Sequence, residues 1–237
     1  MTRLLCAAAA LALLAACGGQ DASEEAEADI GLDQRDGPTA EELFAMAPQT
    51  VAGLRNPASF VNIESLPERS AALYTELHKV IEHPRCMNCH PRSDSPRQGE
   101  LMALHQPPVT RGEGGMGAVG MECTTCHGAE NVEYVGAEGS IPGHEPWHLA
   151  PASMGWIGLS APEICAQIKD PDRNGGKSFA DLYEHNAHDG LVGWGWAPGE
   201  GREPAPGSQE VFGQLTRAWL ETGAHCPADT RQAALAE

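Results

Sequence analysis

The sequence predicts a mostly α, loop-rich fold, and three observations carry that expectation. Glycine and proline are abundant, 27 and 18 among 237 residues, against a usual combined share of roughly 12%. That excess works against long helices and regular sheets. The helix signals that do occur are short and dispersed, and no segment shows the apolar/polar alternation of a strand. Aromatic residues are few, five Trp, three Tyr and four Phe, so a core of side chains alone is thin for this length. Something else is expected to fill part of it. The length allows one domain, or two at most.

Residues 1–16 read as a secretory signal. A short basic start, Met1-Thr2-Arg3, precedes an apolar run from Leu4 to Ala16 that is too short to span a bilayer. The run ends Leu14-Ala15-Ala16-Cys17, which resembles the lipobox of bacterial lipoproteins, with Cys17 as the acylated residue. The alternative is an unlipidated secreted form. With Gly18 next in place of Asp, the resemblance implies the outer membrane over the inner. Residues 17–42 then form an acidic tether, nine carboxylates from Asp21 to Glu42 facing only Arg35, a composition that cannot order itself. As a flexible chain it spans roughly 25–30 Å.

Residues 43–237 are the expected folded body. Ser65-Leu66-Pro67-Glu68 has capping-box spacing, and Leu73, Leu77 and Val80/Ile81 follow at helical period. Ser160-Ala161-Pro162-Glu163 opens a second helix bearing Ile164, Cys165 and Ile168. A third runs from Ser178 to His188, with His185 and His188 on one face. The last spans about Ser208 to Glu221, with Phe212, Leu215 and Trp219 on one side and Gly223 as a stop. Between Pro84 and Gly158 periodicity is nearly absent, and Gly112 to Gly120 holds five glycines.

One pattern recurs inside that aperiodic stretch, as Cys86-Met87-Asn88-Cys89-His90 and as Cys123-Thr124-Thr125-Cys126-His127. Cys-x-x-Cys-His is the attachment sequence for c-type haem. Two thiols three residues apart on one turn reach the two vinyl groups of a porphyrin, and the histidine that follows ligates the iron. The sequence therefore predicts two haem c groups, held by Cys86, Cys89, Cys123 and Cys126 with His90 and His127 as proximal ligands, the porphyrins forming much of the core. A thioredoxin-like pair needs no trailing histidine and sits in a βαβ unit that is missing here. A zinc ribbon needs closer pairing than the 33 residues between Cys89 and Cys123. Disulfides within each motif would strain such short loops.

For the distal iron ligands the preferred pair is His105 and His148, each downstream of its own motif in Pro-bearing sequence that stiffens a loop. His185, presented by a helix, and Met154, a thioether that would raise the potential, are the substitutes. Trp194 and Trp196 either wall a haem or plug a loop. With Cys6 in the signal, Cys17 acylated and four cysteines on haem, Cys165 and Cys226 are left to form one disulfide in an oxidising compartment.

The segments His83-Pro84-Arg85-Cys86 to His90, Gly120 to Gly128, Trp147-His148-Leu149-Ala150-Pro151, Ile164 to Pro171 and Trp194-Gly195-Trp196-Ala197-Pro198-Gly199 together resemble small exported proteins labelled isoquinoline 1-oxidoreductase subunit. The resemblance covers about residues 75–227. It implies partnership with a molybdenum hydroxylase-type dehydrogenase of the periplasm. This chain has no molybdopterin or iron–sulfur motif, so its implied role is that of electron acceptor, passing electrons to a downstream cytochrome. Two other classes fit the motifs, a dihaem enzyme such as a peroxidase and a haem-based sensor. The net charge of −18 excludes nucleic acid as a partner, because phosphate binding draws on clustered Lys and Arg.

Overall fold

The computed structural model describes residues 30–229; the signal, Cys17 and the first part of the tether lie outside them. Helices account for 40% of the described residues and strands for 9%. The α-helices are α1 (Ala40–Phe44), α2 (Leu66–Ile81), α3 (Pro84–Met87), α4 (Ala161–Lys169), α5 (Phe179–His188), α6 (Gly190–Gly193) and α7 (Gln209–Glu221). Four of them begin where the sequence places a cap. Ser65 accepts from the Glu68 amide, Ser178 from Asp181 and Ser208 from Val211, and Ser160 forms a capping box with Glu163. Each cap satisfies amides that the first helical turn leaves without partners.

The core lies where α2, α5 and α7 meet. Leu73, Leu77 and Val80 of α2 are fully buried against Leu215, Trp219 and Leu220 of α7, each such side chain stabilising by roughly 1.5–3 kcal/mol. Tyr74 tilts against Trp219 with ring centroids 5.2 Å apart. Asn186 of α5 donates to the Thr216 hydroxyl of α7. Cys165 of α4 is bonded to Cys226 beyond α7, Cα atoms 5.7 Å apart, which fastens α4 to this side-chain core.

Strands are present where none was expected. Four antiparallel hairpins pair β1 (Thr50–Val51) with β2 (Leu54–Arg55), β3 (Arg97–Gln98) with β4 (Ala103–Leu104), β5 (Gly117–Ala118) with β6 (Met121–Glu122), and β7 (Val132–Glu133) with β8 (Ser140–Ile141). Every strand is two residues long, too short for alternation to register in the sequence. Three of the hairpins sit within the aperiodic stretch and shape it. No helix among the described residues is long and apolar enough to cross a membrane.

The tether also ends earlier than expected. From Asp33 onward the acidic segment is docked on the body. The buried Arg217 guanidinium of α7 donates to the carbonyls of Asp33 and Gly37, and the Tyr183 hydroxyl donates to the Asp36 carbonyl. Leu43 of α1 is fully buried. Composition alone misses this because residues 33–43 dock through backbone groups, the Asp33, Asp36 and Gly37 carbonyls as acceptors and the Ala40 amide as donor to Glu221, and through buried Ala40 and Leu43, with the carboxylates turned outward.

Candidate functional site

Both Cys-x-x-Cys-His segments fold into the same turn. In the first, α3 starts at Pro84, and His83 caps it by accepting the Arg85 amide at Nδ1. The amides of Cys89 and His90 then donate back to the Cys86 carbonyl at 3.1 and 3.2 Å. In the second, a 3-10 turn over Cys123–Thr125 is closed by the amides of Cys126 and His127 on the Cys123 carbonyl, at 3.2 and 3.0 Å. Three residues along a helical turn bring two side chains to one face, and the histidine begins the chain's departure from it.

The loops around the turns need glycine. A Cβ on Gly112 would lie 1.7 Å from the Gly117 carbonyl oxygen, so the glycine-rich loop can double back to enter β5. Gly115, at φ +80°, passes so close to Leu149 that a Cβ would stand 2.5 Å from its carbonyl oxygen. That contact holds the segment after His148 against the second motif.

All four motif cysteines are thiols without a disulfide partner. Burial pushes Cys86 up to about 12, with Cys89 nearby acting the same way, and Cys89 itself up to about 11. Burial raises Cys123 as well. Redox-active and nucleophilic cysteines are depressed toward the thiolate; Cys86, Cys89 and Cys123 are shifted the other way, toward the neutral thiol.

The two motif histidines share a second arrangement. His90 Nδ1 lies 2.8 Å from the Met154 carbonyl, and His127 Nδ1 lies 2.7 Å from the Pro142 carbonyl. A carbonyl only accepts, so in each ring Nδ1 carries the proton and Nε2 keeps its lone pair. Each ring is stacked on an indole, His90 on Trp156 at 3.5 Å and 7°, His127 on Trp147 at 4.8 Å and 11°. Burial pushes His90 down to about 3, opposed by its bond to Met154, while His185 and Arg111 nearby act in the same direction as burial. Burial likewise lowers His127, again opposed by the carbonyl bond, with His105 and Arg202 adding to the fall. Both imidazoles are neutral and oriented, as metal-ligating histidines are when the second ring nitrogen is tied to an acceptor.

A cavity of about 700 Å³ opens between the two turns, lined by Cys89, Cys123, Cys126, His127, Trp147 and Trp194. Its wall suits a carboxylate-bearing group. Arg85, Arg97 and Arg202 line it, and Nε of Arg85 and of Arg97 are buried with no partner, as is Oδ1 of Asn88. A buried guanidinium nitrogen without an acceptor costs free energy, and an anionic group in the cavity would relieve it. A porphyrin with an apolar face and carboxylate side chains fits that combination of cysteines, aromatic wall and arginines.

The other expected ligands are distributed unevenly. His105 faces the second motif, its ring centroid 5.9 Å from that of His127, although chain order suggested the first. His148 lines the same cavity, with Nδ1 3.1 Å from the Leu149 carbonyl. His185 lies near His90 and pairs with Asp189, Nδ1 to Oδ2 at 3.0 Å. Met154 reaches His90 through its carbonyl, on the Nδ1 side of the ring, and its side chain is buried in the core. That places the thioether poorly for a distal ligand. Trp194 walls the cavity, donating to Asn131, whereas Trp196 packs on Phe212 and is a plug. Cys17 lies outside the described residues.

Sequence reasoning missed Trp147, Trp156, Asp189 and Arg111. The buried Arg111 donates to the carbonyls of Pro91, Ser93 and Ala150 and so ties the first motif to the segment carrying Met154. Trp147, next to a candidate histidine, is the one for which the sequence held a signal. His83, Glu100 and Glu203 also place ligand atoms within 4.8 Å of one another, but Glu100 is paired with Arg85 at 2.7 Å, which makes the cluster a poor cation site. Set against known proteins, the chain matches no family model, no curated protein and no solved structure.

Proposed function

We propose that the chain is an exported electron carrier with two covalent haem c groups, lipid-anchored through Cys17 and facing the periplasm. Its electron donor is a molybdenum hydroxylase-type dehydrogenase and its acceptor a downstream cytochrome. The observation that most supports this reading is the duplicated turn, two thiols on one face followed by a histidine whose Nδ1 is held by a carbonyl. Bound haem would supply reversible one-electron iron chemistry.

The chain's own residues have separable tasks in this reading. Cys86 and Cys89, and Cys123 and Cys126, hold the group covalently. His90 and His127 present Nε2, with the carbonyls of Met154 and Pro142 fixing the tautomer and the indoles of Trp156 and Trp147 fixing the ring plane. Arg85 and Arg97, whose buried Nε atoms lack an acceptor, receive carboxylates. Trp147 and Trp194 exclude water from one wall of the cavity. Porphyrin as core filling then concerns the motif-bearing half alone, since α2, α5 and α7 have a side-chain core. A second histidine beside His127 favours a carrier over a peroxidase-type enzyme or a sensor, which keep a position open.

The test is a pyridine haemochrome assay on the purified full chain, with haem staining after denaturing electrophoresis. Two covalent haems per chain are expected. Zero or one overturns the proposal.

A further inference from the structure

We infer that His105, carried in the loop after the first motif, is the sixth ligand of the haem attached at the second motif, through Cys123, Cys126 and His127. The inference rests on the dihaem reading above and deepens it. Four observations carry it. The rings of His105 and His127 have centroids 5.9 Å apart with planes at 62°. Two metal–imidazole bonds of about 2 Å each, with the ring radii added, put trans imidazoles roughly 6 Å apart, so the centroid separation of the pair is compatible with one shared iron.

His105 is also prepared as a ligand. Its Nδ1 lies 2.9 Å from the Pro107 carbonyl, which commits that nitrogen as the donor and leaves Nε2 with its lone pair, the same tautomer as in His127. The backbone that carries it is held. Residue 105 directly follows β4, its amide donates to the Pro96 carbonyl, and the next amide donates to the Gln98 side chain. Finally, His105 lines the same cavity as Cys123, Cys126 and His127.

His148 is the competitor, since it lines that cavity too. Its Nδ1 also faces a carbonyl, that of the next residue, so tautomer does not separate the two; position does, because the rings that stand against His127 are those of His105 and Trp147. The consequence of the assignment is an interlock. The loop that leaves one attachment motif completes the coordination of the other, so the two sites are one structural unit.

The experiment uses the full-length holoprotein and three readouts, haem stoichiometry, low-temperature EPR and CO binding to the reduced form. His105→Ala is expected to keep two haems per chain, to turn one of them high-spin and to make that one bind CO. Two low-spin haems in this variant overturn the inference, as does a high-spin haem produced by His148→Ala in its place. Single-attachment chains identify the haem concerned. His105→Ala should change the spectrum when Cys86 and Cys89 are replaced by Ser, and leave it unchanged when Cys123 and Cys126 are replaced; the opposite pattern overturns the assignment. Should His105→Ala fail to fold, His105→Met keeps a ligand at the position and is expected to raise one of the two midpoint potentials. Unchanged potentials overturn the inference. A wild-type chain without haem would fail the dihaem reading itself, a result distinct from all of these.

Discussion

At His90 and His127 one ring nitrogen is committed to a backbone carbonyl and the other is left free, and that division was only half legible in the sequence. The histidine itself follows from the motif. Its orienting partners do not, because the carbonyls of Met154 and Pro142 stand 64 and 15 residues away in the chain and any residue type can supply a carbonyl. Buried charge away from the site shows how single groups set stability. Glu76 of α2 is fully buried, and its carboxylate accepts from the Arg55 amide and guanidinium and from Lys79. Burial alone would raise it, but these hydrogen bonds outweigh burial and hold the carboxyl below its ordinary 4.5. A folded-state value below the unfolded one contributes stability that is present above about pH 4.5 and lost as pH falls through the lower, folded value. Glu76→Gln should therefore cost about 1–3 kcal/mol at neutral pH, from donors left poorly matched, and flatten the acid limb. Urea unfolding at a series of pH values measures both, and an unchanged acid limb would show that Glu76 does not set it.

The helices were legible at the scale of elements because two independent signals coincide in each. A Ser cap marks the start of α2, α4, α5 and α7, and apolar residues repeat at helical period behind it. The hairpins were not legible, since a two-residue strand has no period and its register comes from the loop it closes. The aperiodic stretch is ordered through contacts distant in sequence, such as Arg111 on Ala150 and Gly115 against Leu149. The disulfide was legible by elimination of the other cysteines, and it joins α4 to the end of α7 across 61 residues. Closing a loop of that length restricts the unfolded chain by about 4 kcal/mol in the chain-entropy picture. Replacing Cys165 and Cys226 together by Ala should lower stability by roughly 3–4 kcal/mol while both motif turns, which α4 does not touch through this bond, keep the haem that the proposed function assigns to them. Denaturant unfolding with a parallel haem count tests it; loss of haem from a folded double variant would show that the bond supports the site directly.

For the whole molecule, the distribution of charge has a consequence that the net value of −18 understates. Many of the few cations are already committed to partners of this chain. Arg55 and Lys79 pair with Glu76, Arg85 with Glu100, and Arg217 with Glu221. Arg111 and Arg202 are bound to backbone carbonyls, and Arg97 is turned into the cavity. What remains outward is strongly acidic, and the positive groups that face the cavity are positioned for carboxylates within it. A partner approaching such a surface is steered by its own basic patch, and the steering acts over the Debye length, about 10 Å at 0.1 M salt and about 3 Å at 1 M. If the chain is the electron carrier proposed above, the rate at which a donor dehydrogenase reduces it should therefore fall steeply with ionic strength, through the association rate, with little change once the complex has formed. Stopped-flow reduction over a salt series, at several protein concentrations, separates the two. A rate independent of salt would show that charge does not guide docking. Turnover of hydrogen peroxide without reduction by any dehydrogenase would replace the carrier reading by an enzyme, because a carrier has all iron positions filled and no place for peroxide to bind.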